Sequence, residues 1–187
     1  MTDLYFIDSF FRLFDDANKV VKKHGEIWGN YGLKSEEQLR RGMETGGVVV
    51  FYKDETPSGI LRSIRIHTGH DLGMIPTTYD KLTGNGDWTT HDPDGNTIVL
   101  VDFCRFLGVD WRDASRYIIN HAKGHLFPLA PYALTYSPDI ARVISIHEKN
   151  GARFSGQKPK KAREGYVSPI ATEGDTPEDA ALMIYRW

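Results

Sequence analysis

A chain of 187 residues, 40% hydrophobic and 26% charged, has the make-up of an ordinary globular protein and enough length to bury a core without staples. Its 23 Lys and Arg against 25 Asp and Glu leave a formal net charge of -2, which excludes a generally basic nucleic-acid coat and confines any such surface to a local patch. A single cysteine, Cys104, excludes an internal disulfide and a cysteine-rich zinc site.

Met1-Thr2-Asp3 offers no basic region ahead of an apolar run, and no apolar run approaches the roughly 20 residues of a membrane span, so a cytoplasmic protein without membrane contact is expected. From Leu4 to Lys23 the apolar residues Leu4, Ile7, Phe11, Phe14 and Val21 recur at helical spacing, widened by Phe10, Leu13, Ala17 and Val20. Asp3 would cap this helix, Lys22, Lys23 and His24 would complement its C-terminal dipole, and Gly25 would end it. Its wide aromatic face suits burial against a sheet, a protein partner or a second copy. Ser35-Glu36-Glu37-Gln38 is a capping box that opens a short helix to about Met43, and Gly46-Gly47 breaks it.

Val48–Tyr52 is too apolar and β-branched for an exposed strand and reads as a central one. Lys53 to Gly59 supplies turn residues, and Ile60–His67 reads as the next strand, with Arg62 lying among its apolar set and marking a rim or a contact. Residues 68–86 carry no period and read as a long functional or mobile loop. Asp92-Pro93-Asp94-Gly95-Asn96 is a tight turn, expected at a hairpin tip between Trp88–Thr90 and Thr97–Val101. Asp102–Leu107 reads as a short helix closed by Gly108. Asp110 would cap a second helix, lined by Ala114, Tyr117, Ile118 and His121 and stopped by Gly124. After a loop at Phe127–Pro131, Ser137-Pro138-Asp139 begins a helix buried through Ile140, Val143, Ile144 and His147. Residues 156–168 look flexible and basic, and Ala180–Tyr185 is expected to be a last short helix.

The order from Val48 to Ala122 resembles the zinc-ribbon (Cys-His-Cys-Cys) domain of bacterial and phage DNA primases. Lys53-Asp54-Glu55-Thr56-Pro57-Ser58 matches that family's Thr-Pro-Ser turn. Asp102-Phe103 and Gly108-Val109-Asp110-Trp111-Arg112-Asp113-Ala114 match its later helices. The zinc ligands are lost, with Val49 and Tyr52 at two of their places. The resemblance implies a degenerate zinc-ribbon-like centre. The expected fold is therefore α+β, a small antiparallel sheet of about three to four strands packed with about four to six helices. Residues 1–150 are expected to form one domain, with N-terminal helices over 4–44, the ribbon-like centre at 48–122 and a helix at 138–149. Residues 151–187 would be a partly flexible extension.

Lys53, Arg62, Arg65 and Trp88 on the ribbon, with Lys158, Lys160, Lys161 and Arg163, are the candidate nucleic-acid contacts, because cations neutralise phosphates and an aromatic ring can stack on a base. His67, His70 and His91 are the candidate metal ligands, completed by Asp71, Asp87 or Asp92. Cys104, between Phe103 and Arg105 in an apolar helix, reads as a small core residue. No phosphate-binding glycine loop, nucleophile elbow or dinucleotide fingerprint is present, so no catalytic residue and no cofactor are expected. These residues favour a non-catalytic, primase-like, DNA-binding module of a phage or mobile element, with single-stranded DNA or RNA and a host or replication protein as partners. A protein-binding inhibitor that docks a host enzyme is the alternative, and a His/Asp metal-dependent hydrolase the third reading.

Overall fold

The computed structural model describes residues 4–29, 32–69, 75–76, 79–106, 114–158 and 176–185. In chain order these form β1 (Leu4–Ile7), α1 (Phe10–Leu13), α2 (Ala17–Trp28), α3 (Glu36–Glu44), β2 (Val48–Lys53), β3 (Thr56–Ile66) and α4 (Tyr79–Thr83). There follow β4 (Thr97–Arg105), α5 (Ala114–His121), β5 (Tyr132–Asp139), α6 (Ala141–Lys149), β6 (Ala152–Phe154) and β7 (Thr176–Tyr185). The strands make one 7-stranded sheet in the order β1-β2-β3-β4-β5-β7-β6. Every neighbouring pair is antiparallel except β4 and β5, which run parallel. No helix among the described residues is long and apolar enough to cross a membrane.

The unbroken apolar run Val48–Tyr52 has a simple cause: both faces of its strand are covered. Val48 and Val50 pack against Leu13, Ala17, Val20, Leu39 and Met43 of α1, α2 and α3. Val49 and Phe51 pack on the other face with Ile118 and Ile119 of α5 and with Ala122 just beyond it. The α+β class holds, but the sheet is larger than expected and mixed. The central strands of that sheet stand where a zinc-ribbon-like centre was expected.

Several elements differ from the sequence reading. Leu4–Ile7 is an edge strand instead of the start of a helix. Tyr5 stacks on Tyr52 with ring centroids 5.2 Å apart, and Phe6 meets His121 on the opposite face at 4.1 Å, an alternation only a strand delivers. The helix that follows runs through Gly25 to Trp28 and ends at Gly29, whose φ of 55° suits glycine. Asp102–Arg105 continues β4 where a helix was expected, and Trp88–Thr90 pairs with no strand. Ser137-Pro138-Asp139 ends β5, with Pro138 at a register shift against β7, a position proline tolerates because it has no ladder N–H to lose. Ala180–Tyr185 lies in β7, between β5 and β6, so the expected extension supplies two strands of the sheet. The Ser35 cap is as read: its hydroxyl accepts from the Gln38 amide at 3.2 Å, while the Gln38 side chain reaches one residue further back, to the Lys34 amide at 3.0 Å.

Candidate active site between diverging strands

The parallel pair β4–β5 is closed only from Thr97↔Tyr132 to Leu100↔Thr135. At its last rung the Thr135 hydroxyl donates to the Leu100 carbonyl at 3.1 Å. Beyond that rung β4 follows β3 out to Arg105↔Gly59, and β5 follows β7 out to Asp139. The centre of the sheet therefore opens into a wedge whose walls are the facing edges of Val101–Arg105 and Tyr136–Asp139. Strand edges carry backbone donors and acceptors that need partners, so such a wedge suits an extended ligand with amide groups of its own.

A β-bulge marks the apex of the wedge. The β3–β4 register steps from Ser63↔Leu100 to Arg62↔Asp102, which leaves Val101 as the extra residue. Val99 and Val101 pack on the α1–α3 face and Leu100 on the α5 face. The bulge then turns Asp102 to the α1–α3 face as well, next to its neighbour Val101, before Phe103 and Cys104 resume the alternation.

There Asp102 joins a buried network. Arg62, 1% exposed, gives its Nε to Asp102 Oδ2 at 2.7 Å and its Nη2 to the same oxygen. Its Nη1 donates to the Tyr79 hydroxyl at 2.9 Å, and its guanidinium lies between the rings of Tyr79 and Trp88, 5.2 and 5.6 Å from their centroids. His24 of α2 completes the set. Its Nδ1 accepts from the Leu33 amide at 2.9 Å, so the proton sits on Nε2, which donates to Asp102 Oδ1 at 3.3 Å. Burial, then the Arg62 charge, lower the His24 pKa and keep the ring neutral. Burial alone would raise the Asp102 pKa, but Arg62 and His24 outweigh it and hold the carboxyl down at about 2.

Other described polar groups around the wedge are buried or bonded as well. The Tyr136 hydroxyl of β5 donates to the Ile75 carbonyl at 3.3 Å, and burial pushes its pKa up to about 12. Burial, reinforced by the Asp102 charge, pushes the Cys104 thiol up, so it is no thiolate nucleophile. On the opposite face His147 of α6 shares a 2.6 Å hydrogen bond with the Tyr185 hydroxyl and stands edge-on to Phe103 at 5.5 Å.

The sequence-derived candidates do not gather at one place. Arg62 is the buried partner of Asp102 and meets no solvent phosphate. Trp88, 2% exposed, is committed to the core and gives its indole N–H to the Ser63 carbonyl at 2.8 Å, so its ring is not open to a base. Arg65 is half-buried, with its Nε on the Gly95 carbonyl at 2.6 Å. Lys53 ends β2 at the β2–β3 hairpin, and Lys158 pairs with Asp139 at 2.8 Å. Lys160, Lys161, Arg163 and His70 lie outside the described residues, as do Gly108 and Asp110. His67 is exposed with Asp92 3.9 Å away, and His91 accepts from the Arg65 amide at 3.3 Å. Among the described residues no group of three or more His, Cys, Asp or Glu is placed to hold a metal ion. Asp102 and His24 were read as helix-end residues. The odd position of Arg62 was the one signal of their network.

No family model and no curated protein matches the sequence. Solved structures do match, over nearly the whole chain. The GphF GNAT-like decarboxylase in complex with isobutyryl-CoA aligns with a TM-score of 0.67 and 17% identity, covering 98% of this chain and 98% of that one. The loading GNATL domain of CurA from Lyngbya majuscula aligns with a TM-score of 0.69 and 11% identity, covering 100% and 98%. Arabidopsis thaliana NAA60 in complex with a bisubstrate analogue aligns with a TM-score of 0.62 and 12% identity, covering 98% of each chain. At such identities the likeness is one of fold, and the fold is that of the GNAT acetyltransferases. It overturns the primase zinc-ribbon resemblance, and with it the non-catalytic nucleic-acid module and the single-stranded DNA or RNA partner.

Proposed function

We propose that this protein binds an acyl-coenzyme A in the wedge between β4 and β5 and catalyses a reaction of its thioester. The observation that carries the reading is the divergence of the parallel pair β4–β5 after Leu100↔Thr135, with a bulge where it begins. The GNAT-fold likeness supports it, since GphF, of the same fold, is in complex with isobutyryl-CoA. The pantetheine arm of coenzyme A is an extended chain with two amide groups, and it can lie between the open edges as a strand does. Backbone N–H groups fixed beside the thioester carbonyl would stabilise the charge that develops on its oxygen.

Acyl transfer to a nucleophilic acceptor is the first reaction to test, because GNAT acetyltransferases share the fold. Decarboxylation of a carboxyacyl-CoA is favoured by a separate observation. Among the described residues, the two side chains at the bulge that could serve as a base, Asp102 and His24, are both occupied, the first by Arg62 and His24 and the second by Asp102 and Leu33. Loss of CO2 needs a polarised thioester carbonyl and no base to deprotonate an acceptor. The C–C bond to the carboxylate breaks, its electron pair forms the thioester enolate, and a proton from water completes the product.

Purified protein with acetyl-CoA and a panel of small amines is expected to release free coenzyme A, and with malonyl-CoA to release CO2 and acetyl-CoA. Turnover in at least one arm, with KM in the roughly 1 μM–1 mM range of ordinary enzymes, is the supporting result. Neither product above the protein-free control would contradict a thioester reaction.

A further inference from the structure

The Arg62–Asp102 network stands at the register pair that borders the bulge, and its composition is unusual for mere stability. His24 from α2, Arg62 from β3, Tyr79 from α4, Trp88 from a turn and Asp102 from β4 converge on one guanidinium–carboxylate pair. Replacing such a buried pair with apolar residues of similar volume is often neutral or stabilising, so stability alone does not explain it. Its geometry explains something else. A bulge can be removed by sliding a strand one residue, and a slide flips every later side chain to the other face. A slide of β4 past Val101 would put Val101 opposite Arg62 and Phe103 opposite Ile60, and would carry Asp102 away from Arg62 and His24 into the cluster of Leu61, Ile118 and Phe127. The charged pair makes that register untenable.

We propose that the Arg62–Asp102 pair, backed by His24, is a positioning device that fixes the bulge at Val101 and so sets which backbone groups of β4 face the wedge. The kinetic consequence rests on the acyl-CoA reading, while the structural one does not. The pair's polar atoms are engaged by each other, Tyr79 and His24, and it acts through the β4 backbone. The one-residue offset it maintains displaces the strand edge by about 3.3 Å, far beyond the ~1 Å misplacement that costs about 100-fold in rate.

The test is the double variant R62M/D102L, which replaces the pair by apolar side chains. Cross-strand proton contacts in the wild type are expected between Ser63 and Leu100 and between Arg62 and Asp102. In the variant they are expected to shift to a continuous, bulge-free pairing or to average between two registers. Unchanged contacts would overturn the proposal whatever the activity. With acetyl-CoA or malonyl-CoA, whichever is turned over, kcat is expected to fall about 100-fold while KM moves less than about threefold. Wild-type kinetics in the variant, or equal losses in affinity and rate, would also overturn it. A wild type that processes neither thioester contradicts the acyl-CoA reading and leaves the register measurement to decide this one. Should the double variant fail to fold, R62K, which keeps the charge and loses the planar fork, is read by the same contacts and the same KM-against-kcat split.

Discussion

Three histidines are held neutral inside this protein, each by a different partner: His24 by Asp102 and Leu33, His121 by Phe6 and Phe51, and His147 by Tyr185. Burial lowers all three. His147 and His121 fall to about 4, the latter also pressed down by His125, whose ring stacks on it at 4.5 Å. Each folded-state pKa lies below the unfolded value near 6.5. Between the two the unfolded chain holds more protons, and stability falls as the pH drops through that window. For a group moved from 6.5 to about 4 the loss at pH 5 is about 2 kcal/mol. Urea denaturation at pH 7 and pH 5 should show a lower midpoint at pH 5. H147F/Y185F, which removes donor and acceptor together, should recover about 2 kcal/mol of the difference. A midpoint independent of pH would refute the buried neutral assignment. Gly47 offers a second check, on packing. A Cβ there would stand 2.2 Å from the Ser63 carbonyl oxygen and 3.2 Å from the Trp88 indole nitrogen, so G47A should cost roughly 1–3 kcal/mol. Unchanged stability would show that Trp88 is not tied down as described.

Amides of Ile98–Leu100 in β4, closed between two neighbours, should exchange with solvent more slowly than those of Phe103–Arg105, which have a strand on one side only. Equal protection along the strand would mean that the wedge is closed in solution. The same strand shows why the sequence misled. Thr97 to Val101 is β-branched and legible as a strand, but the bulge places Val101 and Asp102 on one face and breaks the period of two. The following residues, Asp102–Leu107, then read as a short helix closed by Gly108. Pro138 misled in the same way, since Ser-Pro-Asp is a helix start unless the proline sits at a register shift. By contrast, Val48–Tyr52 was legible as a central strand and Ser35 as a cap, because burial on two faces and a capping hydroxyl are both local signals. The site was legible only through Arg62, a charge in an apolar run. Its partners Asp102 and His24 lie 40 and 38 residues away in sequence, and only the sheet brings them together.

Across the whole molecule, five of the six contacts between neighbouring strands are antiparallel. The one parallel contact joins a half made of β1–β4 to a half made of β5–β7, and the wedge forms where those halves part. Helices α1–α3 close one face and α5 the other, with an apolar cluster on each. Placing a ligand at the centre of the sheet is thus a property of topology, and the sequence, read segment by segment, had no means of showing it. The most direct measurement is amide exchange of the wild-type protein with and without coenzyme A at ~1 mM, the upper end of ordinary KM values. The account predicts slowed exchange confined to Val101–Arg105 and Tyr136–Asp139, the two facing edges. No protection there, or protection only elsewhere on the molecule, would contradict the claim that the wedge is the site.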